Sequence, residues 1–335
     1  MKRRILPLFF IAALSLTACG NKKHDISEYV LTLNYESDFQ ILQLTDLHIG
    51  DKDDQDLHYK FMNLIFDDAK AANVDLVVVT GDLFTFASKA TARRMFGYFD
   101  EKKIPWTVVF GNHDEQVYFS VEWMTGYLNG LNKKRLADPT ASYCYFKDIQ
   151  DDNVFGNCNF AINLMDGANV QEQLIFMDSN RYDYGTTFGG YDYFKDSQKD
   201  WYSELVDNTN AKSLMFYHIP LPEINNIDDR DVVKEDDPDY KFTKGEKGEK
   251  CCPPDYNSGF FDVIKAKNST TAMFFGHDHL NDYYADYEGI TFAYGIKSTD
   301  RVYHNPNMLG GRVITLHDDH SVTLDEIYKK YSEVK

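Results

Sequence analysis

The sequence is short of basic residues and has no apolar run long enough to cross a bilayer. Its 335 residues include 35 lysines and arginines against 53 aspartates and glutamates, which gives a formal net charge of −18. This excess of negative charge argues against a general nucleic-acid-binding protein, because phosphate backbones attract lysine and arginine. It also argues against electrostatic docking on anionic lipid. No nucleic-acid-binding surface is expected.

Cysteine is scarce as well, with five residues in the chain. None lies in the C-x-x-C spacing that is typical of a structural zinc site. A disulfide between Cys144 and Cys158 would close a hairpin in an exported protein, whereas the adjacent Cys251 and Cys252 make a poor pair. Free thiols remain equally open.

The N-terminus has the features of an export signal. Lys2, Arg3 and Arg4 precede a short apolar stretch, residues 5–16. Residues 16–19 read Leu-Thr-Ala-Cys and resemble a bacterial lipobox, which implies cleavage before Cys19 and lipid attachment to its thiol. We therefore expect a signal peptide at residues 1–18 and a lipidated tether at residues 19–37. The protein would be exported and held at the bacterial cell envelope by its lipid anchor only. An ordinary signal peptide with a chance cysteine is the alternative.

The rest of the chain, residues 38–335, predicts one α/β domain. Apolar runs at 39–44, 75–79 and 106–110 predict strands, and the two segments between them have helical spacing. This β-α-β-α-β order indicates a mostly parallel sheet. Shorter antiparallel strands, further helices and one long polar connection follow. The strands are expected at 142–146, 159–164, 173–177, 212–217, 272–275, 283–286, 290–294 and 312–316, the helices at 197–207 and 260–266, and a lid or mobile loop at 224–257.

Polar residues directly follow five of the predicted strands. In an open α/β sheet the carboxyl ends of the strands converge on one crevice, so residues distant in sequence meet there. Single clusters have ordinary explanations: Gly81-Asp82 alone is typical of a turn, and His218 alone of a structural histidine. Five polar clusters that all follow predicted strands are not explained in this way. Imidazoles, carboxylates and an amide together suit zinc, manganese or iron rather than calcium. The clusters are Asp46-Leu47-His48, Gly81-Asp82, Gly111-Asn112-His113-Asp114-Glu115, His218 and Gly276-His277-Asp278-His279.

The order D-x-H, G-D, G-N-H-[DE], H, G-H-x-H resembles the motif set of the calcineurin-like metallophosphoesterase superfamily. The resemblance covers about residues 39–316. The segments at 197–201, 251–260 and 276–282 resemble the single-domain subgroup similar to plant purple acid phosphatases. One departure is that Leu83-Phe84-Thr85 follows Asp82 where purple acid phosphatases have a ligand tyrosine. The purple iron–tyrosinate chemistry is therefore not expected.

The resemblance implies a four-layer α/β/β/α sandwich of two mixed β-sheets flanked by helices. It also implies two metal ions bound by seven residues, with His113 protonating the leaving alkoxide and Asp114 orienting His113. The implied ligands are Asp46, His48 and His279 for the first metal, Asn112, His218 and His277 for the second, and Asp82 as the bridge between them.

The function that this resemblance implies is hydrolysis of a phosphate ester by metal-bound hydroxide. A monoester is favoured over a diester, and the substrate would be a phosphorylated small molecule or a phosphoprotein. Two alternatives stay open, a nucleotide or cyclic-nucleotide phosphodiesterase and a non-catalytic metal-binding surface lipoprotein. The intact Asn112-His113-Asp114 run argues against the second, because His113 has no role as a ligand.

Overall fold

The computed structural model describes residues 24–184, 190–228 and 240–334. Six α-helices lie in these ranges: α1 Gln55–Ala71, α2 Lys89–Glu101, α3 Val121–Ala137, α4 Asp196–Thr209, α5 Ile224–Asp228 and α6 Phe260–Lys267. The strands are β1 Val30–Asn34, β2 Phe39–Leu44, β3 Leu76–Thr80, β4 Trp106–Val109, β5 Phe160–Asp166, β6 Asn169–Phe176, β7 Lys212–Phe216, β8 Tyr240–Lys244, β9 Thr270–Phe275, β10 Tyr284–Tyr287, β11 Ile290–Tyr294, β12 Gly310–Leu316 and β13 Val322–Tyr328.

The first sheet has five strands in the order β13-β12-β2-β3-β4. Strands β2, β3 and β4 run parallel, and β12 and β13 close the sheet as an antiparallel pair. Every residue of β3 is buried, which explains its unbroken apolar run since both faces of the strand are covered.

The second sheet has eight strands in the order β1-β5-β6-β7-β9-β11-β10-β8. Its centre, from β6 through β7 and β9 to β11, is parallel. Its two sides contain antiparallel pairs, β5 with β6 and β10 with both β8 and β11. Both sheets are therefore mixed.

Two apolar cores hold the layers together. The larger core includes residues of both sheets and of α1, α2 and α3. Within it, Phe160, Phe176, Phe216 and Phe274 stack in a row across β5, β6, β7 and β9. The second core packs α4 and α6 on the other face of the eight-stranded sheet through Trp201, Tyr202 and Phe260. This arrangement confirms the predicted α/β/β/α sandwich.

Local sequence sets where the helices begin. Asp54, Ser88 and Ser120 each accept a backbone N–H of the first turn of α1, α2 and α3. Such caps satisfy donors that the helix itself leaves free. None of the helices in the described part of the chain combines the length and apolar character that crossing a membrane requires.

The predicted tether at residues 19–37 is wrong over much of its length. Residues 30–34 form β1, which pairs in parallel with β5 over five Cα partners. Tyr29 and Leu31 are buried, and the Tyr29 ring meets Trp201 edge-on at 5.5 Å. The folded domain therefore starts before residue 38, because burial of these side chains holds the segment. The predicted signal peptide and Cys19 lie outside the described residues.

The structure differs from the prediction in two further segments and answers the open question of the cysteines. Residues 142–146 do not form a strand, because two backbone hydrogen bonds to Trp106 give only an isolated bridge at Cys144. The expected loop at 224–257 contains α5 and β8, and its residues 229–239 lie outside the described part. None of Cys144, Cys158, Cys251 and Cys252 forms a disulfide bond within the described part of the chain.

Candidate metal centre

The five strand ends singled out in the sequence meet at one edge of the sandwich. Strands β2, β3 and β4 of the five-stranded sheet lead into Asp46 and His48, Asp82, and Asn112 respectively. Strands β7 and β9 of the eight-stranded sheet lead into the three remaining predicted ligands, His218, His277 and His279. The candidate centre therefore lies where the carboxyl ends of the two sheets come together.

Four of the predicted ligands form a compact buried cluster. One donor atom from each of Asp46, His48, Asp82 and His279 lies within 4.8 Å of the other three. The Nε2 atoms of His48 and His279 are 3.1 Å apart, and His279 Nε2 lies 3.4 Å from Asp46 Oδ1. Two imidazoles and two carboxylates at this spacing suit a transition-metal ion.

Asp82 connects this cluster to the second group of predicted ligands. Its Oδ2 lies 3.5 Å from His48 Nε2 and 3.3 Å from His218 Nε2. The His218 ring in turn lies 5.2 Å from that of His277. Asp82 is thus placed between two sets of imidazoles, as a bridging carboxylate would be.

Second-layer contacts direct three imidazoles into the centre. The Nδ1 atoms of His48, His218 and His279 lie 2.8 Å from Thr85 Oγ1, 2.7 Å from the Thr80 carbonyl and 3.0 Å from the Tyr303 carbonyl. Each contact engages Nδ1 and leaves Nε2 to face the centre. Metal-binding histidines are generally held in this way.

The donor set fits metal ions, because several of its buried atoms make no hydrogen bond and approach only other members of the set. Asp46 Oδ1, Asn112 Oδ1 and His218 Nε2 have no hydrogen-bond partner among the described residues. The Nδ2 group of Asn112 donates to the Tyr182 hydroxyl at 2.8 Å. This hydrogen bond fixes the amide, with Oδ1 pointing away from Tyr182. Unpaired buried polar atoms are costly unless a ligand satisfies them. The arrangement therefore supports metal binding by both groups.

The backbone is unusual at the ligands. Asp46, His48, Asp82 and His277 have φ values of 54°, 48°, 50° and 82°, in the left-handed region. Such strain costs about 1–3 kcal/mol per residue and collects at functional sites. The close packing at the ligands also requires glycine at position 276, since a Cβ there would collide with Thr45 Oγ1 and Asp46 Oδ2.

Burial and neighbouring charges set the ionisation of the centre. Burial alone disfavours the Asp82 anion, yet His218 and His48 outweigh it and hold the pKa of Asp82 well below its ordinary value. Burial lowers the pKa of His277 to about 3, and it also lowers the pKa of His48. Burial acts in the same direction on His218, but Asp82 outweighs it and raises the pKa of His218 to about 10. The centre thus presents an anionic bridge, two neutral imidazoles that are ready to bind metal, and one imidazole that must lose a proton when metal binds.

His113 differs from the ligands in its surroundings. It is half-buried, and its ring lies 5.0 Å from His48. Its backbone N–H donates to Asp82 Oδ1 at 2.8 Å, and its Nδ1 lies 2.7 Å from Gln116 Oε1. The imidazole therefore stands at the edge of the centre with one nitrogen held and the other free to act.

The predicted role of Asp114 in orienting His113 is wrong. Its two carboxylate oxygens accept the backbone N–H groups of Phe84 and Gly111 at 3.0 and 2.8 Å. Burial, together with Asp82, raises the pKa of Asp114 well above its ordinary value. Asp114 thus stabilises the loops that carry Asp82 and Asn112. The side chain that contacts the His113 imidazole is Gln116, not Asp114.

Several contacts of the centre were not predicted from the sequence. Lys297 is buried, and its Nζ donates to the Asp46 carbonyl at 2.8 Å. Burial lowers the pKa of Lys297 to about 8 although Asp46 and Asp82 oppose the shift. Thr85 and Gln116 lie within three residues of a motif residue, so proximity could have found them. Tyr182, Lys297 and Tyr303 come from distant loops, and no sequence signal marks them.

Comparison with known proteins agrees with the geometry. Residues 39–281 match the protein family described as calcineurin-like phosphoesterase. The chain is 28% identical over 299 residues to an Arabidopsis thaliana protein named a probable inactive purple acid phosphatase, covering 79% of this chain and 73% of that protein. It is 29% identical over 308 residues to a phosphatase of Saccharomyces cerevisiae, covering 81% of this chain and 49% of the yeast protein.

A solved structure shares the fold. The crystal structure of a dimetal phosphatase from Danio rerio superposes with a TM-score of 0.52 at 13% identity, covering 88% of this chain and 97% of that chain. The likeness supports the two-sheet sandwich.

Proposed function

Because this chain belongs to the calcineurin-like phosphoesterase family, we propose that it is a dinuclear metal-dependent phosphatase that hydrolyses phosphate monoesters in preference to diesters. Asp46, His48 and His279 would hold one metal ion. Asn112, His218 and His277 would hold the other, and Asp82 would join the two. The metals would be zinc, manganese or iron, in keeping with the mixture of nitrogen and oxygen donors.

The protein's own side chains would position the reaction. When bound, a pair of metal ions supplies Lewis-acid activation of water and of phosphoryl oxygens. Asp82 fixes the spacing of the two ligand sets, since its Oδ2 lies within 3.5 Å of an imidazole from each sheet. Tyr182 holds the amide of Asn112 in one orientation.

His113 would provide the proton that the leaving alkoxide needs. Gln116 Oε1 is a permanent hydrogen-bond acceptor, so Nδ1 of His113 carries the hydrogen of that contact. Nε2 is then the nitrogen that exchanges a proton with the substrate oxygen. A positioned imidazole of this kind typically contributes about 10²–10⁴-fold to a rate.

One observation carries this proposal. The predicted ligands lie together, and His113, which is not one of them, lies half-buried beside them. The test is turnover of an aryl phosphate and of a bis-aryl phosphate by chelator-treated protein, with and without added zinc, manganese or iron. We expect metal-dependent hydrolysis with the monoester preferred. Hydrolysis of the diester alone would contradict the monoester preference. It would favour the alternative function, a phosphodiesterase that acts on nucleotides or cyclic nucleotides.

A second candidate function is metal binding without catalysis. It is favoured by the name of the Arabidopsis relative, which describes that protein as inactive. Against it, a non-catalytic protein would have no need for the His113–Gln116 contact beside the ligands. Metal binding with no turnover of either ester would support this candidate and contradict ours.

We also propose that the protein is exported and anchored through lipid on Cys19. The support is the sequence of residues 16–19 after a positively charged and apolar leader. Replacing Cys19 with Ala should move the protein from the membrane fraction to the soluble fraction without a change in specific activity. An unchanged membrane fraction would contradict the anchor.

A further inference from the structure

Tyrosine side chains line the centre on the side of Asn112 and His277. The Tyr182 hydroxyl accepts a hydrogen bond from Asn112, and its ring lies 6.5 Å from that of His113. Tyr191 meets the His277 ring edge-on at 4.5 Å. Tyr182 and Tyr191 stack on each other at 5.4 Å, so together they form one continuous aromatic surface beside the ligands.

Two further tyrosines continue this lining into solvent. Tyr184 contacts Tyr182 at 5.5 Å, yet 79% of its surface is exposed. Beside the other predicted ligand set, Tyr303 stacks on the ring of His279 at 4.3 Å and is 50% exposed. Tyr182, Tyr184, Tyr191 and Tyr303, named here the tyrosine rim, therefore flank both predicted ligand sets.

Backbone contacts hold the segments that carry the rim, and the rings of Tyr182 and Tyr191 are held by each other. Tyr182 and Tyr191 form a backbone bridge, and the neighbouring Arg181 makes an ion pair with Glu115 at 2.6 Å, two residues after His113. The Tyr303 carbonyl lies 3.0 Å from His279 Nδ1. Rings held in this way lose little freedom on binding, which favours affinity for a matching flat group.

We propose that the tyrosine rim binds the alcohol part of the substrate and that this part carries a flat aromatic ring. The inference rests on the proposed function, since it assigns a substrate class to the same centre. A phosphoryl group held by the buried ligands would have its ester oxygen near His113 and its alcohol directed outward, toward the exposed rings of Tyr184 and Tyr303. Exposed tyrosine faces attract a second ring by stacking beyond simple apolar burial.

The experiment compares two monoesters on metal-loaded, full-length protein. Benzyl phosphate and cyclohexylmethyl phosphate have leaving alcohols of similar acidity and size, but only the first is flat and aromatic. We expect kcat/KM for the benzyl ester to be higher by about 3–10-fold, which corresponds to one favourable ring pair. The same preference should appear in the calorimetric affinities of benzylphosphonate and cyclohexylmethylphosphonate, which are not hydrolysed.

Variants connect the preference to the rim. Tyr184→Leu and Tyr303→Leu should each reduce the benzyl preference, while Tyr184→Phe should keep it. Tyr35→Leu is the matched control, because Tyr35 stacks on Phe39 at the end of β2 that lies opposite Asp46. Its preference should equal that of the wild type.

The outcomes separate this inference from the proposed function. Equal kcat/KM and equal affinity for the two ring types would overturn the aromatic assignment while leaving the phosphatase proposal intact. A benzylphosphonate preference in a protein that turns over neither ester would support the rim and contradict the phosphatase proposal. Loss of the preference in Tyr35→Leu would show that it does not arise at the rim.

Discussion

Several predicted ligands have a strained backbone, and neighbouring groups orient their side chains. Four predicted ligands keep left-handed backbone conformations, and three imidazoles are held through Nδ1. Strained residues persist only where the surrounding structure over-determines them. The fold itself therefore sets the ligand positions. His113 is not one of the ligands, so its loss should affect chemistry but not metal content.

Replacing His113 with Ala should lower turnover by about 10²–10⁴-fold while metal content stays near normal. The defect should be large for an alkyl phosphate, whose leaving group needs a proton, and small for a nitrophenyl phosphate, whose leaving group does not. Steady-state rates on both esters, with metal analysis of the same samples, check this. Loss of metal from His113→Ala would instead make His113 a ligand.

Gln116→Leu should reproduce a weaker form of the same defect, about 10–100-fold, because it removes the acceptor that orients His113. Asp114→Asn provides the contrast. Since Asp114 accepts two backbone N–H groups, its replacement should lower thermal stability, with no dependence of the rate loss on the leaving group. A leaving-group-dependent defect in Asp114→Asn, and none in Gln116→Leu, would reverse the assignment.

The ligands could be predicted from the sequence because each directly follows an apolar strand. The partner of His113 could not. Asp114 is adjacent in sequence, but a turn closed by the Gln116 N–H and the His113 carbonyl at 2.8 Å brings Gln116 to the imidazole. Lys297 and the tyrosine rim depend on how distant loops fold back, and a single sequence carries no record of that.

At the scale of the elements, strands rich in apolar residues, such as β3 and β9, could be predicted from the sequence. Helix α3 was missed because polar Thr125 and Asn132 lie in its buried stripe and Gly126 and Gly130 interrupt it. Strand β1 was missed for another reason. Its five residues are a weak local signal, and its partner β5 begins at Phe160, far along the chain.

Strand β1 yields a test by truncation. A chain that starts at residue 38 should be less stable than one that starts at residue 25, because it loses the burial of Tyr29 and Leu31 and uncovers the edge of β5. Two such side chains contribute about 3–6 kcal/mol. An exposed edge also promotes aggregation. Equal melting temperatures and equal solubility for the two chains would show that β1 adds nothing to the fold.

For the whole molecule, stability should depend on pH through a buried carboxyl outside the centre. Burial raises the pKa of Asp148 to about 7, and its Oδ2 has no hydrogen-bond partner in the described part of the chain. An unfolded aspartate has a pKa of about 4. Between these values the folded protein retains a proton that the unfolded chain has lost, so the free energy of unfolding falls as pH rises from about 4 to 7.

Asp148→Asn cannot ionise and should lose this part of the pH dependence. Chemical denaturation between pH 5 and 7.5 should therefore show the variant gaining stability relative to the wild type as pH rises. Asp152→Asn, a change at an exposed neighbour, is the control. A constant difference between Asp148→Asn and the wild type over this range would mean that Asp148 does not titrate in it.

We expect ligands from both sheets to hold two metal ions joined by Asp82. The stoichiometry of zinc or manganese bound by chelator-stripped protein, measured by calorimetric titration and elemental analysis, tests this directly. We expect two ions per chain, and Asp82→Asn should weaken both sites. Asp75→Asn should bind like the wild type, because Asp75 precedes β3 at its opposite end and accepts the Gln40 N–H. One ion or none in the wild type, or two tightly bound ions in Asp82→Asn, would contradict a two-metal centre bridged by Asp82.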